Sequence, residues 1–304
     1  MIQEYYSNGK LLIAGEYVVL DGVQAFALPT KYGQSLCVES VDTPFVYWTC
    51  VDADGSIWMK EEVSIDLLLS DTKIEGSAYL QTLVEVLRAA HTQNNRILQP
   101  DKGYRVLATL TFPRIWGLGT SSTWINNVAQ WFGINAYQLL NDSFGGSGYD
   151  IACAQHDEGI FYMRSNQNTP TVIPIVFDPV FKEQLYFVYL NQKQSSKEAI
   201  ANYRKKSNAI EQECKRIGVI GVAMTQCDNL ESFEELMREH EVIMSKVLEV
   251  EPVQQRLFAD FEGTIKSLGA WGGDFVLVAS KEDPTAYFKA KGYTTLLMYN
   301  DMIK

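Results

Sequence analysis

The side chains in this sequence best suited to chemistry on a phosphate sit beside glycines. The run Pro113-Arg114-Ile115-Trp116-Gly117-Leu118-Gly119-Thr120-Ser121-Ser122 follows an alternating apolar stretch and precedes a helical one. Glycines let a backbone approach a phosphate closely, and successive N–H groups at a helix start form a cradle for it. Thr120, Ser121 and Ser122 add hydroxyl oxygens of the kind a magnesium ion takes. The same residues also read as a glycine turn followed by Ser/Thr caps. No G-K-[ST] follows, so this is not a Walker loop, and the six-position dinucleotide fingerprint is absent.

Three further stretches carry chemistry-bearing groups. Ser7-Asn8-Gly9-Lys10 through Gly15-Glu16-Tyr17 and on to Asp21-Gly22 sets Lys10 and Glu16 beside glycines at strand ends. Gly145-Gly146-Ser147-Gly148-Tyr149-Asp150-Ile151-Ala152 places one carboxylate just past a glycine loop, where it could also cap a helix. Lys266-Ser267-Leu268-Gly269-Ala270-Trp271-Gly272-Gly273-Asp274 is a glycine run opening into a strand, or a tight connection. His91, His156 and His240 show no metal spacing and read as surface or core-edge residues. Glu234, Glu235, Glu239 and Glu241 read as a solvated helix face. Trp124, Val128, Trp131 and Phe132 read as packing for the helix after Ser121.

Alternating elements must position these groups. Lys10 to Ala14 and Tyr17 to Leu20 read as short strand-like runs around Gly15-Glu16, closed by the turn pair Asp21-Gly22. Val46 to Thr49 and Ser56 to Met59 read as a hairpin around Asp54-Gly55. Ala78 to His91 reads as a helix, with Leu80, Leu83, Val84 and Leu87 on one face. Tyr104 to Phe112 alternates as a strand, followed by helices over Ser121 to Phe132 and near Ala136 to Leu140. A short helix from Tyr149 and a strand over Gly159 to Arg164 come next. Pro170, Pro174 and Pro179 then cluster; proline removes ladder donors and stops helices, which sets a boundary dividing the chain into 1–175 and 176–304. Beyond it we read strand Leu185 to Leu190 and helices Ser196 to Arg216, Ser232 to Glu249 and Val253 to Leu268. Strand Asp274 to Ser280, helix Pro284 to Lys291 and strand Thr294 to Tyr299 complete the chain. This alternation predicts an α+β protein.

Composition narrows the function classes. The chain has 304 residues, 46% of them hydrophobic and 21% charged, so a sizeable core can form and global disorder is excluded. Lys and Arg total 26 against 37 Asp and Glu, a formal net charge of -11. That balance lacks the basic footprint of a nucleic-acid or anionic-membrane binder. The expected partner is a small-molecule substrate held by a few placed groups, on a monomer or homodimer. The five cysteines are scattered with no C-x-x-C pair, against a disulfide framework or zinc site. The first residues lack the regions of a signal peptide, and the uncharged stretch Ile115 to Asn141 is too polar to span a membrane. A cytoplasmic protein is expected.

Taken in order, the four stretches resemble those of the GHMP kinase superfamily, over about residues 5 to 280. Residues 7–17 resemble its P-x-G-K…G-E-H/Y motif and 113–122 its P-x-x-x-G-L-G-S-S-A motif. Residues 147–150 resemble its S-G-x-D segment, and 266–273 its K-x-x-G-A-G-G-G segment. Within the family the chain is most similar to the phosphomevalonate and mevalonate kinases. Gly15-Glu16-Tyr17 and Gly272-Gly273-Asp274 resemble the phosphomevalonate kinase branch, which has G-E-Y where mevalonate kinases usually have G-E-H, and Gly148 to Ala152 resembles a bacterial G-Y-D-I-A subgroup. The resemblance implies a two-domain GHMP kinase fold, with a ribosomal protein S5 domain 2-like N-terminal domain over 1–175 that binds ATP. A ferredoxin-like C-terminal domain over 176–304 would follow. It implies ATP and Mg2+ as cofactors and phosphomevalonate or mevalonate as acceptor. A sugar kinase and an inactive ligand-sensing member are the alternatives. Asp150 and Lys10 are implied as the catalytic pair. Gly117, Leu118, Gly119, Thr120, Ser121 and Ser122 are implied as phosphate contacts, with Ser121 also on the metal. Glu16, Tyr17, Ser147, Ser195, Ser196, Lys197, Gly272 and Gly273 are implied as substrate contacts. Lys10, Lys31, Arg114 and Lys197 are the candidate cations for an acceptor phosphate. The chain departs from the family at Arg114, Ile115 and Trp116, which replace small residues, and at Trp271, where glycine is usual. The acidic magnesium ligand upstream of the S-G-x-D segment has no counterpart; Asp142 is the nearest carboxylate.

Overall fold

The computed structural model describes residues 2–165, 169–192, 200–201, 203–204, 210–271 and 273–304. The chain forms two compact units that interleave along the sequence, one of residues 1–9, 32–114 and 118–155, the other of 10–31, 115–117 and 156–304. Strands β1 (Ile2–Ala14) and β2 (Ala25–Val41) pair with each other and contribute residues to both.

In the first unit, β3 (Phe45–Val51) and β4 (Ile57–Ser64) form the antiparallel hairpin expected around Asp54-Gly55. Strand β5 (Gly103–Leu110) runs parallel to β3 and antiparallel to the Gln34–Val41 part of β2. A parallel neighbour requires a crossover, and the connection passes through α1 (Ile65–Leu69) and α2 (Ala78–Gln93). Buried and half-buried residues alternate along β3, turning Val46, Trp48 and Cys50 inward. These meet Leu83, Leu87 and Ile125 in one core with the helices α2 and α3 (Thr120–Phe132). The expected packing role of Trp124 and Trp131 holds: their rings lie 5.8 and 6.3 Å from that of Trp48. Helices α4 (Ala136–Asn141) and α5 (Tyr149–Gln155) complete this unit.

In the second unit, β6 (Gly159–Met163) pairs with Ala25–Ala27 of β2 and with β7 (Thr171–Ile175). A second, antiparallel sheet has the order β11-β8-β10-β9, built from β8 (Leu185–Tyr189), β9 (Thr264–Ser267), β10 (Phe275–Ala279) and β11 (Leu296–Met298). Helices α6 (Glu211–Met224), α7 (Leu230–Leu248) and the short α8 (Val253–Leu257) lie between β8 and β9 in sequence. Helix α9 (Thr285–Ala290) lies between β10 and β11, and α10 (Tyr299–Met302) ends the chain. This is the β-α-β-β-α-β succession of a ferredoxin-like layer. Strands β8, β9 and β10 are buried along their whole length, with Phe258 and Phe288 closing one side of the core.

Two readings of the sequence are corrected here, and two strands appear that it does not signal. Residues 18–21 form a 3-10 turn rather than a strand, because Gly15 (φ 101) and Tyr17 (φ 61) turn the chain and Val19 N–H bonds back to Gly15. The stretch Val253 to Leu268 is not one helix: it stops at Leu257, and Thr264–Ser267 is a strand. The long strand β2 shows no sequence signal because Pro29 and Gly33 interrupt it. Gly33 is required there, since a side chain would collide with the Ser7 carbonyl on β1. Residues 171–175 form an edge strand despite Pro174, and an edge is where proline is tolerated. The expected helix Ser196 to Arg216 lies largely outside the described residues.

Candidate active site

The glycine loop is shaped by two residues with positive φ. Gly117 (φ 69) and Gly119 (φ 99) bring the chain into α3, and Gly119 is its N-cap. Thr123 N–H donates to the Gly119 carbonyl (2.9 Å), so the N–H groups that precede it are the ones a helix start leaves without intrahelical acceptors. Of the three hydroxyls, Ser122 is buried, Thr120 half-buried and Ser121 exposed. Ser121 is therefore the one presented to solvent at the first turn.

Within the second unit, Lys10, which lies inside β1 rather than at its end, donates from Nζ to the Gly117 carbonyl at 3.2 Å. The carboxylate of Asp274 lies against the other side of Gly117, where any Cβ would collide with it. Asp274 has a positive φ of 55, a conformation that aspartate tolerates better than most residues. Its backbone is pinned by Asp274 N–H to the Gln192 carbonyl (2.6 Å) and by Leu190 N–H to its own carbonyl (2.8 Å). The residues before Gly117 are held as well. Tyr189 OH donates to the Ile115 carbonyl (3.0 Å), and the Trp116 ring stands edge-on to Phe275 at 5.4 Å. Burial, then the Asp274 charge, raises the Tyr189 phenol above its ordinary value.

Glu16 is fully buried. Its Oε1 is 2.6 Å from Lys266 Nζ and its Oε2 is 3.0 Å from His240 Nε2. Burial pushes this carboxyl up, but the Lys266 charge and then His240 outweigh it, holding Glu16 below the usual glutamate range. Tyr17 is buried next to it and donates from its hydroxyl to the Ala270 carbonyl (2.8 Å). Burial and then the Glu16 charge raise its phenol. The expectation of a surface or core-edge histidine at 240 and a solvated Glu241 is overturned. Both are buried, at 0% and 4% exposure.

In the first unit, Asp150 is half-buried in the first turn of α5, after a glycine loop containing Ser147. Helix α5 is tied to α3 by Gln155 Nε2 donating to Asn126 Oδ1 (2.8 Å). Arg114 already has partners: its guanidinium donates to Tyr79 OH (3.0 Å) and stacks 4.8 Å from the Trp58 ring. Lys31 Nζ donates to the Asn300 carbonyl (2.5 Å). Gly273 lies against the Gln192 carbonyl. Ser195, Ser196, Lys197 and Gly272 lie outside the described residues. Sequence reasoning missed Asp274, Tyr189, His240 and Glu241 as contributors. Only Asp274 had a signal, ending a glycine run that the sequence had singled out.

Among the described residues, no group of three His, Cys, Asp or Glu side chains is placed to hold a metal ion, and no helix is long and apolar enough to cross a membrane. No protein-family model and no curated protein matches the sequence. Solved structures do match in fold. The Methanococcus jannaschii mevalonate kinase matches with a TM-score of 0.71 at 16% identity, over 98% of this chain and 96% of that one. The Lactococcus lactis galactokinase, solved with galactose, matches at 0.71 and 13%, over 98% and 92%. The Streptococcus pneumoniae phosphomevalonate kinase, solved with phosphomevalonate and AMPPNP, matches at 0.69 and 12%, over 97% and 99%. The chain thus has the two-domain α+β fold of these GHMP kinases.

Proposed function

We propose that this protein is an ATP-dependent kinase of the GHMP type acting on a small molecule. The observation that carries the reading is the contact of Lys10 with Gly117, 107 positions apart in sequence. It brings the lysine of one motif to the glycine loop of another, as a phosphoryl-transfer site requires. Transfer of a γ-phosphoryl group needs an oriented nucleophile and cations on the moving charge, with little covalent work for the protein. The N–H groups from Gly117 to Ser121, with Leu118, Thr120 and Ser122 completing the turn, are proposed to hold the nucleotide phosphates. Lys10 is proposed to contact the phosphoryl oxygens, and Asp150 to orient the acceptor hydroxyl.

Magnesium fits as an oxygen-bound ion. The exposed Ser121 hydroxyl is its proposed protein ligand, and phosphate oxygens would supply most of the remaining shell. The bound ion would neutralise charge on the phosphates. The proposed acceptor is a mevalonate-pathway acid, phosphomevalonate or mevalonate, which the G-E-Y and G-Y-D details favour. Ser147, Gly273 and residues 195–197 and 272 are the proposed acceptor contacts, and the buried Glu16 and Tyr17 are proposed to support the acceptor site through their ties to Lys266 and Ala270. A sugar acceptor is the second reading, since the same fold carries a galactokinase. Release of ADP, measured with mevalonate, phosphomevalonate and a panel of sugars, tests the proposal. Turnover on one acceptor identifies it. Nucleotide binding with no turnover on any of them would replace the kinase by a ligand sensor.

A further inference from the structure

Glu16, His240, Glu241 and Lys266 form one buried cluster of four ionisable side chains, none more than 4% exposed. Glu241 accepts from Ser267 N–H (2.9 Å) and from Ser267 Oγ (3.2 Å). Lys266 Nζ, besides its 2.6 Å pair with Glu16, donates to the Ser267 carbonyl (2.9 Å). Two ties therefore join the same two segments: Glu16 to Lys266, and Tyr17 to Ala270. Glu241, on helix α7, holds Ser267 between those ties.

Counting charge shows what the cluster needs. Glu16 and Lys266 cancel. Glu241 and His240 must then hold one proton between them, as carboxylic acid beside imidazole or as carboxylate beside imidazolium. Losing that proton or adding a second leaves an uncompensated charge away from water, which is strongly unfavourable. Burial raises the Glu241 carboxyl to about 7, against the Lys266 charge and the Ser267 bonds. Burial and then Lys266 lower His240, against Glu16. Both directions favour the acid beside a neutral imidazole. Two arginines on the packed helices are engaged elsewhere. Arg238 donates to Thr264 Oγ1, and Arg216 pairs with Glu239 in solvent.

We propose that Glu241 and His240 are positioning residues: the single proton they hold keeps Ser267, Lys266 and Glu16 locked, and its release frees the 268–271 turn from Tyr17. The consequence for substrate binding rests on the kinase reading above, whereas the consequence for stability rests on the cluster alone. The folded protein holds the Glu241 proton to higher pH than the unfolded chain does. Stability due to this group therefore falls as pH rises from the ordinary glutamate value through about 7. His240 acts the other way, losing stability as pH falls below its ordinary value.

The test is thermal unfolding and acceptor KM across roughly pH 6 to 8.5, for the wild type and Glu241→Gln, an isostere that mimics the protonated acid. The wild type should lose Tm and gain KM as pH rises, with kcat changing less, and Glu241→Gln should abolish the fall in Tm and the rise in KM, leaving only the opposite His240 slope in Tm below the ordinary histidine value. A Glu241→Gln protein that keeps the wild-type slope in Tm overturns the proposal. So does one that loses the Tm slope but keeps the KM slope, because the cluster would then be structural only. Should the variant fail to fold, the side-chain carboxyl carbon signal of wild-type Glu241 decides: a carboxyl that stays protonated at pH 6 and ionises at about 7 supports the proposal, and a carboxylate already ionised at pH 6 beside a neutral imidazole overturns it. Absence of turnover at any pH sinks the kinase reading, and the Tm slopes still report on the cluster.

Discussion

Gly117 is bracketed by opposite charges, the Lys10 ammonium on its carbonyl and the Asp274 carboxylate against its Cα. A methyl group there meets the carboxylate and also strains a backbone at φ 69. Gly117→Ala should weaken nucleotide binding by about tenfold or more, which is ~1.4 kcal/mol. Removing the obstacle with Asp274→Gly should recover part of that loss in the double variant, leaving the share due to φ. Quenching of Trp116 fluorescence on nucleotide titration would measure both, and a double variant no better than Gly117→Ala would show that the contact is unimportant. The proposed catalytic pair makes a different demand. Asp150→Asn should cost on the order of 10²–10⁴ in kcat, the size of a lost general base, with ATP affinity nearly unchanged. Lys10→Met should be comparably damaging and not additive with it, because groups acting as a unit fail together. Steady-state kinetics of the two single variants and the double variant would check this. Equal and additive losses would separate the two residues.

At the scale of elements, helix α7 carries His240 and Glu241 of the buried cluster and starts with a defined cap. Asn229 accepts at its side chain from Ser232 N–H (2.8 Å). Asn229→Ala should cost about 1 kcal/mol of stability, read as a lower urea midpoint with an unchanged m-value. This helix also shows where sequence reading stops. Its approximate span was legible in the sequence, as were the hairpin at Asp54-Gly55, helix α2 from its apolar spacing and the glycine loop before α3. The fate of its charges was not. Glu239 and Glu241 stand two positions apart on the same acidic run, yet Glu239 meets Arg216 in solvent while Glu241 turns inward to Ser267. That difference is set by what lies opposite, and strand β9 lies opposite only in the folded chain. Lys266 and Glu16 pair across 250 positions, a separation at which local pattern carries no information. Strand β2 was invisible for the converse reason: Pro29 and Gly33 signal breaks locally, while pairing with β5 and β6 makes the strand.

For the whole molecule, the net charge of -11 sets how an anionic nucleotide is met. Beyond about 10 Å at 0.1 M salt, a charge sees the screened field of the entire protein, which here repels a triphosphate. Within a few ångströms it would see the proposed cradle of Lys10 and the N–H groups of the 117–121 loop. Salt screens the distant repulsion more than the close contacts. Association of nucleotide should therefore quicken, not slow, as ionic strength rises from about 0.01 to 0.15 M, opposite to a site steered by a basic surface. Magnesium should act in the same direction, since the complexed nucleotide carries less charge. Stopped-flow association rates across that salt range, with and without excess magnesium, would read this. A rate that falls steeply with salt would mean that an attractive basic field surrounds the site, against the net charge of -11.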